Sequence, residues 1–207
     1  MASKLGFYLC KQNSQEMKIV FASNNPNKLK EIQLLLPNSI ELVSLADIGC
    51  TEDIPETAET IEGNAILKAD YVTNNYSLNC FADDTGLEIT ALNGEPGVYS
   101  ARYAGEQKNA EENMNKVLEN LRESIDRSAQ FKTVIALNLD GQQLLFTGLV
   151  KGQITTEKKG TNGFGYDPIF QAEGHDKTFA ELTAFEKASC SHRARAVQQL
   201  IKFLTAQ

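Results

Sequence analysis

Several common features are missing from this chain, and each absence argues against a class of protein. There is no tryptophan, and no apolar run approaches the roughly 18 residues that a membrane-spanning helix needs. The first 16 residues contain no apolar segment of the kind that marks a secretory signal. The cysteines Cys10, Cys50, Cys80 and Cys190 are widely spaced and include no CxxC pair. A zinc site or disulfide framework is therefore not expected, and a reducing cytoplasm is the simplest setting.

Positive charge is also scarce, and it is unevenly placed. The formal net charge is −7, which argues against a general nucleic-acid binder. Residues 41–100 contain twelve acids and one base, Lys68, whereas residues 187–202 contain four bases, His192 and no acid. We expect two walls of one cleft, one for a cation and one for an electron-rich ligand. Two solvated faces would give the same pattern.

The composition is sufficient for a hydrophobic core. Hydrophobic residues make up 42% of the 207 residues, a length that fits one domain or one two-lobed domain. Met17 is followed directly by Lys-Ile-Val-Phe-Ala. We therefore expect the folded unit to be a single domain over residues 17–207, with residues 1–16 as an N-terminal extension.

The hydrophobic pattern predicts an α/β chain. Alternation over Phe131–Leu139, the turn signal Asp140-Gly141 and the return through Leu144–Val150 predict a long antiparallel hairpin. Helical spacing and capping signals predict helices from Pro26, Thr60, Asn109 and Thr183, and strands are expected at Lys18–Ala22, Ile40–Leu45, Cys80–Ala82 and Leu87–Leu92. This order suggests a mixed sheet with flanking helices.

Two adjacent acids, Asp83 and Asp84, lie in the run Phe81–Leu87. An apolar approach, two carboxylates, a threonine and a glycine are typical of a strand that ends in a functional turn. A buried carboxylate is costly unless it is paired, and a hydrated divalent cation is a suitable partner. An ordinary surface turn would have the same sequence. In an extended strand the two side chains would point to opposite faces and need not share one role.

The segment Ser23–Lys28 lies between the first predicted strand and helix. Asn25 suits the N-cap and Pro26 suits the first helical position. A helix N-terminus offers backbone N–H groups and partial positive charge to a phosphate, and Lys28 lies in the first turn. The Walker A spacing is absent, and an ordinary capped helix is the alternative.

Glu56, Glu59 and Glu62 are spaced by three residues, as on a metal-binding face of an all-helical pyrophosphohydrolase. Pro55 and the neighbouring strands argue against that fold, so we expect Glu56 on the loop before the helix. Lys68 would be a second phosphate contact if it points into the cleft, and a solvated side chain if it does not.

Two later segments have the residues expected of a base-binding site. Glycines around Phe164 let the backbone approach a ligand, and the ring can stack on a base. Lys187, Ser191, His192 and Arg193 provide donors that would suit the carbonyl of a 6-keto purine, whereas the amino group of adenine would leave these donors unpaired. A long surface loop and a solvated helix end are the alternatives.

These segments together resemble the inosine triphosphate pyrophosphatase family, which removes non-canonical purine nucleotides. The matching motifs run in family order from Ser23 to Arg193: Ser-Asn-Asn-Pro-Asn-Lys, Pro-Glu-Thr with Asn-Ala-Ile-Leu-Lys-Ala, Ala-Asp-Asp-Thr-Gly-Leu, Pro-Gly-Val-Tyr-Ser-Ala-Arg-Tyr-Ala-Gly, Gly-Phe-Gly-Tyr-Asp-Pro, and Glu-Lys with Ser-His-Arg. Each motif is modest, but the ordered set is specific and spans nearly the whole chain.

The resemblance implies hydrolysis of ITP, dITP or XTP to the monophosphate and pyrophosphate, with Mg²⁺. It implies an elongated mixed sheet whose flanking helices form two lobes around a central cleft, and a cytoplasmic homodimer with no nucleic-acid or membrane partner. By position, Asp84 is the proton acceptor and Glu56 and Asp84 are the metal ligands. The residues implied to contact substrate are Ser23, Asn24, Asn25, Pro26, Asn27, Lys28, Lys68 and Thr85, and at the base end Phe164, Gly165, Tyr166, Asp167, Lys187, His192 and Arg193.

Some positions depart from the family pattern. Ser23-Asn24-Asn25 stands where many members have Thr-Gly-Asn, and Gly63 and Phe185 stand where acids are common. None of these changes touches the expected chemistry. Two alternatives remain: a pyrophosphatase for another modified base, such as a pyrimidine, and a non-catalytic nucleotide-binding module. The module would be expected to have lost an acid or a lysine of the site, and all are present.

Overall fold

A computed structural model describes residues 17–206, so the extension expected over residues 1–16 lies outside the described residues. One mixed sheet runs through the described chain, in the order β2-β1-β3-β5-β6-β7, with β4 paired to β3. The strands are β1 (Met17–Phe21), β2 (Ile40–Val43), β3 (Cys80–Ile89), β4 (Pro96–Gly97), β5 (Ser128–Leu139), β6 (Gln142–Ile154) and β7 (Phe170–Ala172). The pairs β2–β1 and β1–β3 are parallel, and the other pairs are antiparallel.

Five α-helices flank this sheet in the described residues, and four of them begin where the capping signals predict, whereas the break that starts α5 at His192 was not predicted. They are α1 (Pro26–Leu35), α2 (Ile61–Tyr76), α3 (Ala110–Asn120), α4 (Ala184–Cys190) and α5 (His192–Leu204). Asn25, Thr60, Asn109 and Thr183 are their N-caps, and Ser191 is the N-cap of α5. Between residues 17 and 206 no helix combines the length and the apolar character needed to cross a membrane.

The apolar side chains form cores at both ends of the long strands. At one end, α2 covers one face of the sheet through Ala65, and α5 covers the other face through Val197. At the other end, Leu87 and Phe131 pack with Met114 of α3. Because β3 and β5 extend through both regions, the sheet joins two lobes. The mixed sheet with flanking helices confirms the predicted fold class.

The double acid does not lie in a turn, and that prediction is wrong. Cys80–Ile89 is one continuous strand, and β5 pairs with it along its length, with Asp83 opposite Ile135 and Asp84 opposite Val134. Gly86 serves a close backbone contact here instead of a turn, because a Cβ on it would lie 2.6 Å from the Gly97 carbonyl oxygen. Both acids therefore occupy a central strand, where neighbouring side chains alternate between faces.

A single residue, Ser191, separates α4 from α5. Its backbone N–H donates to the Lys187 carbonyl at the end of α4, and its Oγ accepts from the Ala194 N–H at the start of α5. Strand β6 contacts this joint at Gly148, where a Cβ would lie 2.0 Å from the His192 carbonyl oxygen. The absence of a side chain at Gly148 thus lets the first turn of α5 approach the sheet closely.

Candidate active site

A cavity of about 590 Å³ lies between the two lobes, with residues of both in its wall. The lining includes the predicted site residues Ser23, Asn24, Asn25, Asn27, Lys28, Glu56, Lys68, Asp84, Thr85, Phe164, Gly165, Tyr166, Asp167, Lys187, His192 and Arg193. Pro26 is the exception, because it occupies the first position of α1 and does not line the cavity. These residues come from five of the six motifs, and Ser100 and Arg102 of the sixth motif also line the cavity.

A larger and more open depression of about 970 Å³ lies at the far end of the sheet. Its lining includes Glu88, Lys151 and His175 and none of the predicted site residues. Size alone would favour this depression. The smaller cavity is the better candidate because it collects buried charged groups in defined contacts, which the larger depression does not.

The start of α1 contributes mainly side chains to the cavity, and few of its backbone N–H groups remain free. Asn25 Oδ1 accepts from the N–H groups of Asn27 at 2.9 Å and Lys28 at 3.2 Å, so those two donors are already bonded. Asn24 donates through Nδ2 to the Glu52 carbonyl at 3.4 Å and is not among the residues with positive φ. Lys28 is therefore the main source of positive charge from this segment.

Asp83 joins two of the cavity's cations from the face of β3 opposite Asp84. Its Oδ1 accepts from Lys28 Nζ at 2.9 Å, and its Oδ2 accepts from Arg193 Nε at 3.0 Å. Burial would raise the pKa of this carboxyl, but Lys28 and Arg193 outweigh it and hold the pKa well below its usual range. Burial in turn lowers the pKa of Lys28. Asp83 is thus an ionised support that fixes two cations.

Asp84 and Glu56 share one ammonium group on the other face. Lys68 Nζ donates to Glu56 Oε1 at 2.6 Å and to Asp84 Oδ1 at 3.2 Å. Burial raises the pKa of Asp84 although Lys68 opposes it. Burial also opposes ionisation of Glu56, but Lys68 outweighs it and lowers that pKa. Glu56, the less buried of the two carboxyls, is therefore held ionised, whereas the proton affinity of Asp84 rises.

The two carboxylates also fit a divalent cation that is shared with a phosphate. Within residues 17–206 no group of three or more His, Cys, Asp or Glu side chains could hold a metal ion by itself. Glu56 and Asp84 nevertheless converge on the single positive charge of Lys68. Mg²⁺ is usually held by one or two carboxylates, with water and substrate phosphates as its other ligands. This donor set matches such a partial site.

Phe164 and its neighbours form another part of the cavity wall. Its N–H donates to Asp167 Oδ2 at 2.8 Å, and Lys187 Nζ donates to the same oxygen at 2.5 Å. Gly163 has φ +73°, and a Cβ there would lie 2.0 Å from Asp167 Oδ2, so the turn requires glycine. Lys187 Nζ and Arg193 Cζ lie 5.0 and 5.6 Å from the ring centroid of Phe164. Two cations that share the Glu31 carboxylate therefore lie near this ring at the cavity wall.

His192 is a buried, neutral member of the same wall. Its ring stacks on Phe131 with centroids 4.4 Å apart and planes 16° apart. Burial, reinforced by Arg193 and Lys187, lowers the pKa of His192 well below its usual value. Its Nδ1 atom has no hydrogen-bond partner among the described residues. A buried polar atom without a partner beside a cavity is consistent with a group that a ligand satisfies.

Three side chains near the site were missed by the sequence analysis. Glu31 of α1 accepts from Lys187 Nζ at 2.7 Å and also from Arg193. Asn64 of α2 contacts Asp84, and Arg102 Nη1 lies 3.9 Å from Glu56 Oε2. Spacing could have found two of them, because Glu31 is three residues from Lys28 and Asn64 is four residues from Lys68 on the same helix faces.

The sequence and fold can be compared with those of known proteins. Two similar proteins, both named dITP/XTP pyrophosphatase, come from Flavobacterium johnsoniae and Bacillus subtilis. The first is 69% identical over 92% of this chain and 99% of its own length, and the second is 47% identical over 90% and 96%. A solved HAM1 protein from Coxiella burnetii is 43% identical, with a TM-score of 0.85 over 92% of this chain and all of that chain.

A family model supports the same assignment. The model described as the Ham1 family matches residues 19–203, which include every motif behind the predicted resemblance. The match, together with relatives that are covered almost end to end, confirms that prediction. This chain belongs to the Ham1 family.

Proposed function

We propose that this protein hydrolyses non-canonical purine nucleoside triphosphates, namely dITP, ITP and XTP, to the monophosphate and pyrophosphate. The name shared by its relatives supports the substrate class. The observation that carries the proposal is the pair of carboxylates, Glu56 and Asp84, which share Lys68 in a cavity whose wall also includes Phe164, with Lys187 near its ring. Acids at one end and an aromatic ring with donors at the other suit a substrate with both a polyphosphate and a base.

We assign the triphosphate to the end of the cavity formed by the first lobe. Lys28 and Lys68 provide positive charge there, and Ser23, Asn24, Asn25, Pro26 and Asn27 form the segment that begins α1. Thr85 lies next, with its Oγ1 accepting from Arg193 Nη2 at 3.1 Å. Asp83 keeps Lys28 in place, so the ammonium is positioned before a phosphate arrives.

Asp84 is the proposed proton acceptor for the attacking water. Its carboxylate orients a water toward the α-phosphorus and takes the proton as the new bond to phosphorus forms. The raised pKa of Asp84 favours this step, because a base accepts a proton more readily as its pKa approaches the working pH. The bond to the pyrophosphate oxygen breaks, and Lys28 and Lys68 stabilise the charge on that leaving group.

We further propose that the metal is Mg²⁺ and that Glu56 and Asp84 hold it. When bound, this ion would supply charge neutralisation for the phosphate oxygens. Lys68 would then keep its contact with one or both acids and complete the neutralisation of the site. The low pKa of Glu56 supports this role, because a carboxylate must be ionised to bind a cation.

Selection for the base is assigned to Phe164–Asp167 and the donors on α4 and α5. Phe164 offers a face for stacking, and Lys187 and Arg193 are held in place by Asp167, Asp83 and Glu31. Donors fixed in this way favour a ring carbonyl. The amino group of adenine would leave them unpaired, and each buried unpaired donor costs about 1–3 kcal/mol.

A pyrophosphate-release assay across a nucleotide panel tests the proposal. The panel is ITP, dITP, XTP, ATP, GTP, dUTP and methylated pyrimidine triphosphates, each with and without Mg²⁺. We expect metal-dependent release that is fastest for the 6-keto purines without a 2-amino group. Fastest release from a modified pyrimidine would assign a different base, and binding without any release would indicate a non-catalytic module.

Three further expectations belong to this proposal. A homodimer is expected from the family resemblance, and light scattering on the purified chain measures its mass. A single two-lobed domain over residues 17–207 should resist limited proteolysis as one unit. A cytoplasmic location agrees with the free thiols of Cys50, Cys80 and Cys190 among the described residues, and cell fractionation tests it.

A further inference from the structure

We propose that Asn64 is a positioning residue that fixes the spacing between the two carboxylates of the cation site. This inference rests on the proposed function, because it concerns how Asp84 and Glu56 are held for the same reaction. Asn64 is not assigned a contact with the base or with the phosphates of the substrate. It acts through the strand that carries one acid and the loop that carries the other.

The side chain of Asn64 bridges these two parts of the chain. It projects from α2, is 1% exposed, and donates through Nδ2 to Asp84 Oδ2 at 3.5 Å. Its Oδ1 accepts from the backbone N–H of Ala58 at 2.9 Å, two residues after Glu56. One amide group therefore contacts strand β3 and the Glu56 loop together.

The contact with Ala58 also fixes which way the amide faces. If the amide were flipped, its NH₂ group would meet the Ala58 N–H, and two donors would face each other in a buried place. The carbonyl must therefore point to Ala58, and the NH₂ group must point to Asp84. Lys68 contacts the other oxygen of the same carboxylate at 3.2 Å. Both oxygens of Asp84 are thus held by neighbours on one helix.

The Glu56 loop needs such a support because it has little of its own. Residues 53–58 have no regular secondary structure. Glu56 is otherwise held by Lys68 and by longer contacts of Arg102 with its carboxylate and its backbone carbonyl. Without the Ala58 bond, the loop would lose its link to α2 through Asn64, and the spacing of the two acids would depend on Lys68 and these longer contacts alone.

The choice of asparagine at this helix position fits a positioning role. Asparagine is less favourable than alanine or leucine inside a helix. Leucine has a similar size but makes neither bond. Aspartate would keep the acceptor for Ala58 and place a second negative charge against Asp84. Only the amide satisfies both contacts at this length.

The test compares Asn64→Leu with the matched control Asn138→Leu in the full-length protein. Asn138 is another buried asparagine that donates to an acid, Asp70, at 2.9 Å, and it does not line the cavity. The probe is Mn²⁺ with an α,β-imido analogue of dITP, and electron paramagnetic resonance measures the free ion. Steady-state kinetics with dITP gives kcat and KM at saturating Mg²⁺.

We expect Asn64→Leu to weaken Mn²⁺ binding by roughly 10–100-fold and to lower kcat while KM for dITP changes little. Asn138→Leu should lose stability without changing Mn²⁺ affinity. If Asn64→Leu does not fold, Asn64→Ala removes the same bonds in a better helix former, and the same weakening is expected. Mn²⁺ affinity and kcat within twofold of wild type in either folded variant would overturn the inference. Failure of wild type to release pyrophosphate would instead overturn the proposed function.

Discussion

Asp83 and Asp84 are neighbours in β3, and their surroundings differ in almost every respect. Asp83 is fully buried and held between Lys28 and Arg193, whereas Asp84 is 7% exposed and lines the cavity. The pKa of Asp83 lies well below its usual range, and burial raises the pKa of Asp84. Alternation along one strand thus gives two identical side chains opposite electrostatic settings.

The difference teaches how charge is divided between support and chemistry. A carboxylate with two close cations stays ionised and fixes their positions, but it is a poor base. A carboxylate that is buried with one shared cation, Lys68, keeps a higher proton affinity, and it lies in the wall of the cavity. We assign support to Asp83 and proton transfer to Asp84, and the following changes test that division.

The largest effect is expected for Asp84→Asn. Loss of the proton acceptor should lower kcat for dITP by roughly 10²–10⁴-fold, because general-base catalysis typically contributes that much. The fold should persist, since Lys68 still pairs with Glu56 at 2.6 Å. Pyrophosphate release measures the rate, and calorimetry measures binding of dITP. The control is Asp70→Asn, outside the cavity, and a near-wild-type rate for Asp84→Asn would contradict the assignment.

Asp83→Asn should act mainly on stability. Removing one partner of a buried ion pair typically costs about 3–5 kcal/mol in the free energy of unfolding, because the remaining cations are left uncompensated. Here those cations are Lys28 and Arg193, the second of which keeps its contact with Glu31. Guanidinium unfolding at neutral pH measures the loss. A loss below about 1 kcal/mol would show that Asp83 is not the support proposed here.

The pH dependence of unfolding should separate the two acids by sign. The folded pKa of Asp83 is depressed, so its stabilisation is present above the unfolded value of about 3.9 and is lost as the pH falls below it. The folded pKa of Asp84 is raised, so its stabilisation is present below about 3.9 and is lost as the pH rises through the folded pKa. The differences between wild type and each Asn variant should have opposite slopes, of up to about 1.4 kcal/mol per pH unit.

Unfolding curves at several pH values between about 2 and 6, on both sides of the unfolded aspartate value of about 3.9, check this expectation. The wild type should approach Asp83→Asn in stability toward the acid end. Relative to Asp84→Asn, the wild type should become more stable toward the acid end. Parallel curves for the two variants would contradict the division of roles.

The smallest effect is expected for Arg102→Gln. The Arg102 guanidinium lies 3.9 Å from the Glu56 carboxylate and is 18% exposed, so the pair is weaker than those around Asp83. We expect a loss of at most about 1 kcal/mol in unfolding free energy and a modest rise in the Mg²⁺ concentration needed for half-maximal activity. A metal titration of the activity measures the second effect. If Arg102→Gln lost more unfolding free energy than Asp83→Asn, the ion pairs around Asp83 would not be the stronger ones.

Local sequence signals predicted most of the element starts. Asn25, Thr60, Asn109 and Thr183 cap the helices that they were expected to open, since capping depends on a few neighbouring residues. The predicted turn at Asp83-Asp84 was wrong because a distant part of the chain decides the structure there. Pairing with β5 along the whole strand overrides the local turn preference of Thr85-Gly86.

Local sequence signals predicted only part of the candidate site. The uneven charge predicted an acidic and a basic wall of one cleft, but it did not show which of the charged residues line that cleft. Glu31 illustrates why, because its partner Lys187 lies 156 positions away. A glutamate on a helix face has no local feature that marks it as a ligand of a distant lysine. Its role became visible only when α1 and α4 were placed together.

The pairing of β3 with β5 determines which face of the sheet each aspartate occupies. Ten positions of β3 pair with β5, from Cys80 opposite Asn138 to Ile89 opposite Ala129. A slip of one residue would exchange the faces of Asp83 and Asp84 while leaving the composition of the strand unchanged. Every paired position would have to move together for that to happen. Which aspartate faces the cavity therefore depends on the register of a long ladder, and a single-residue deletion within β3 would change it even where the sheet still forms.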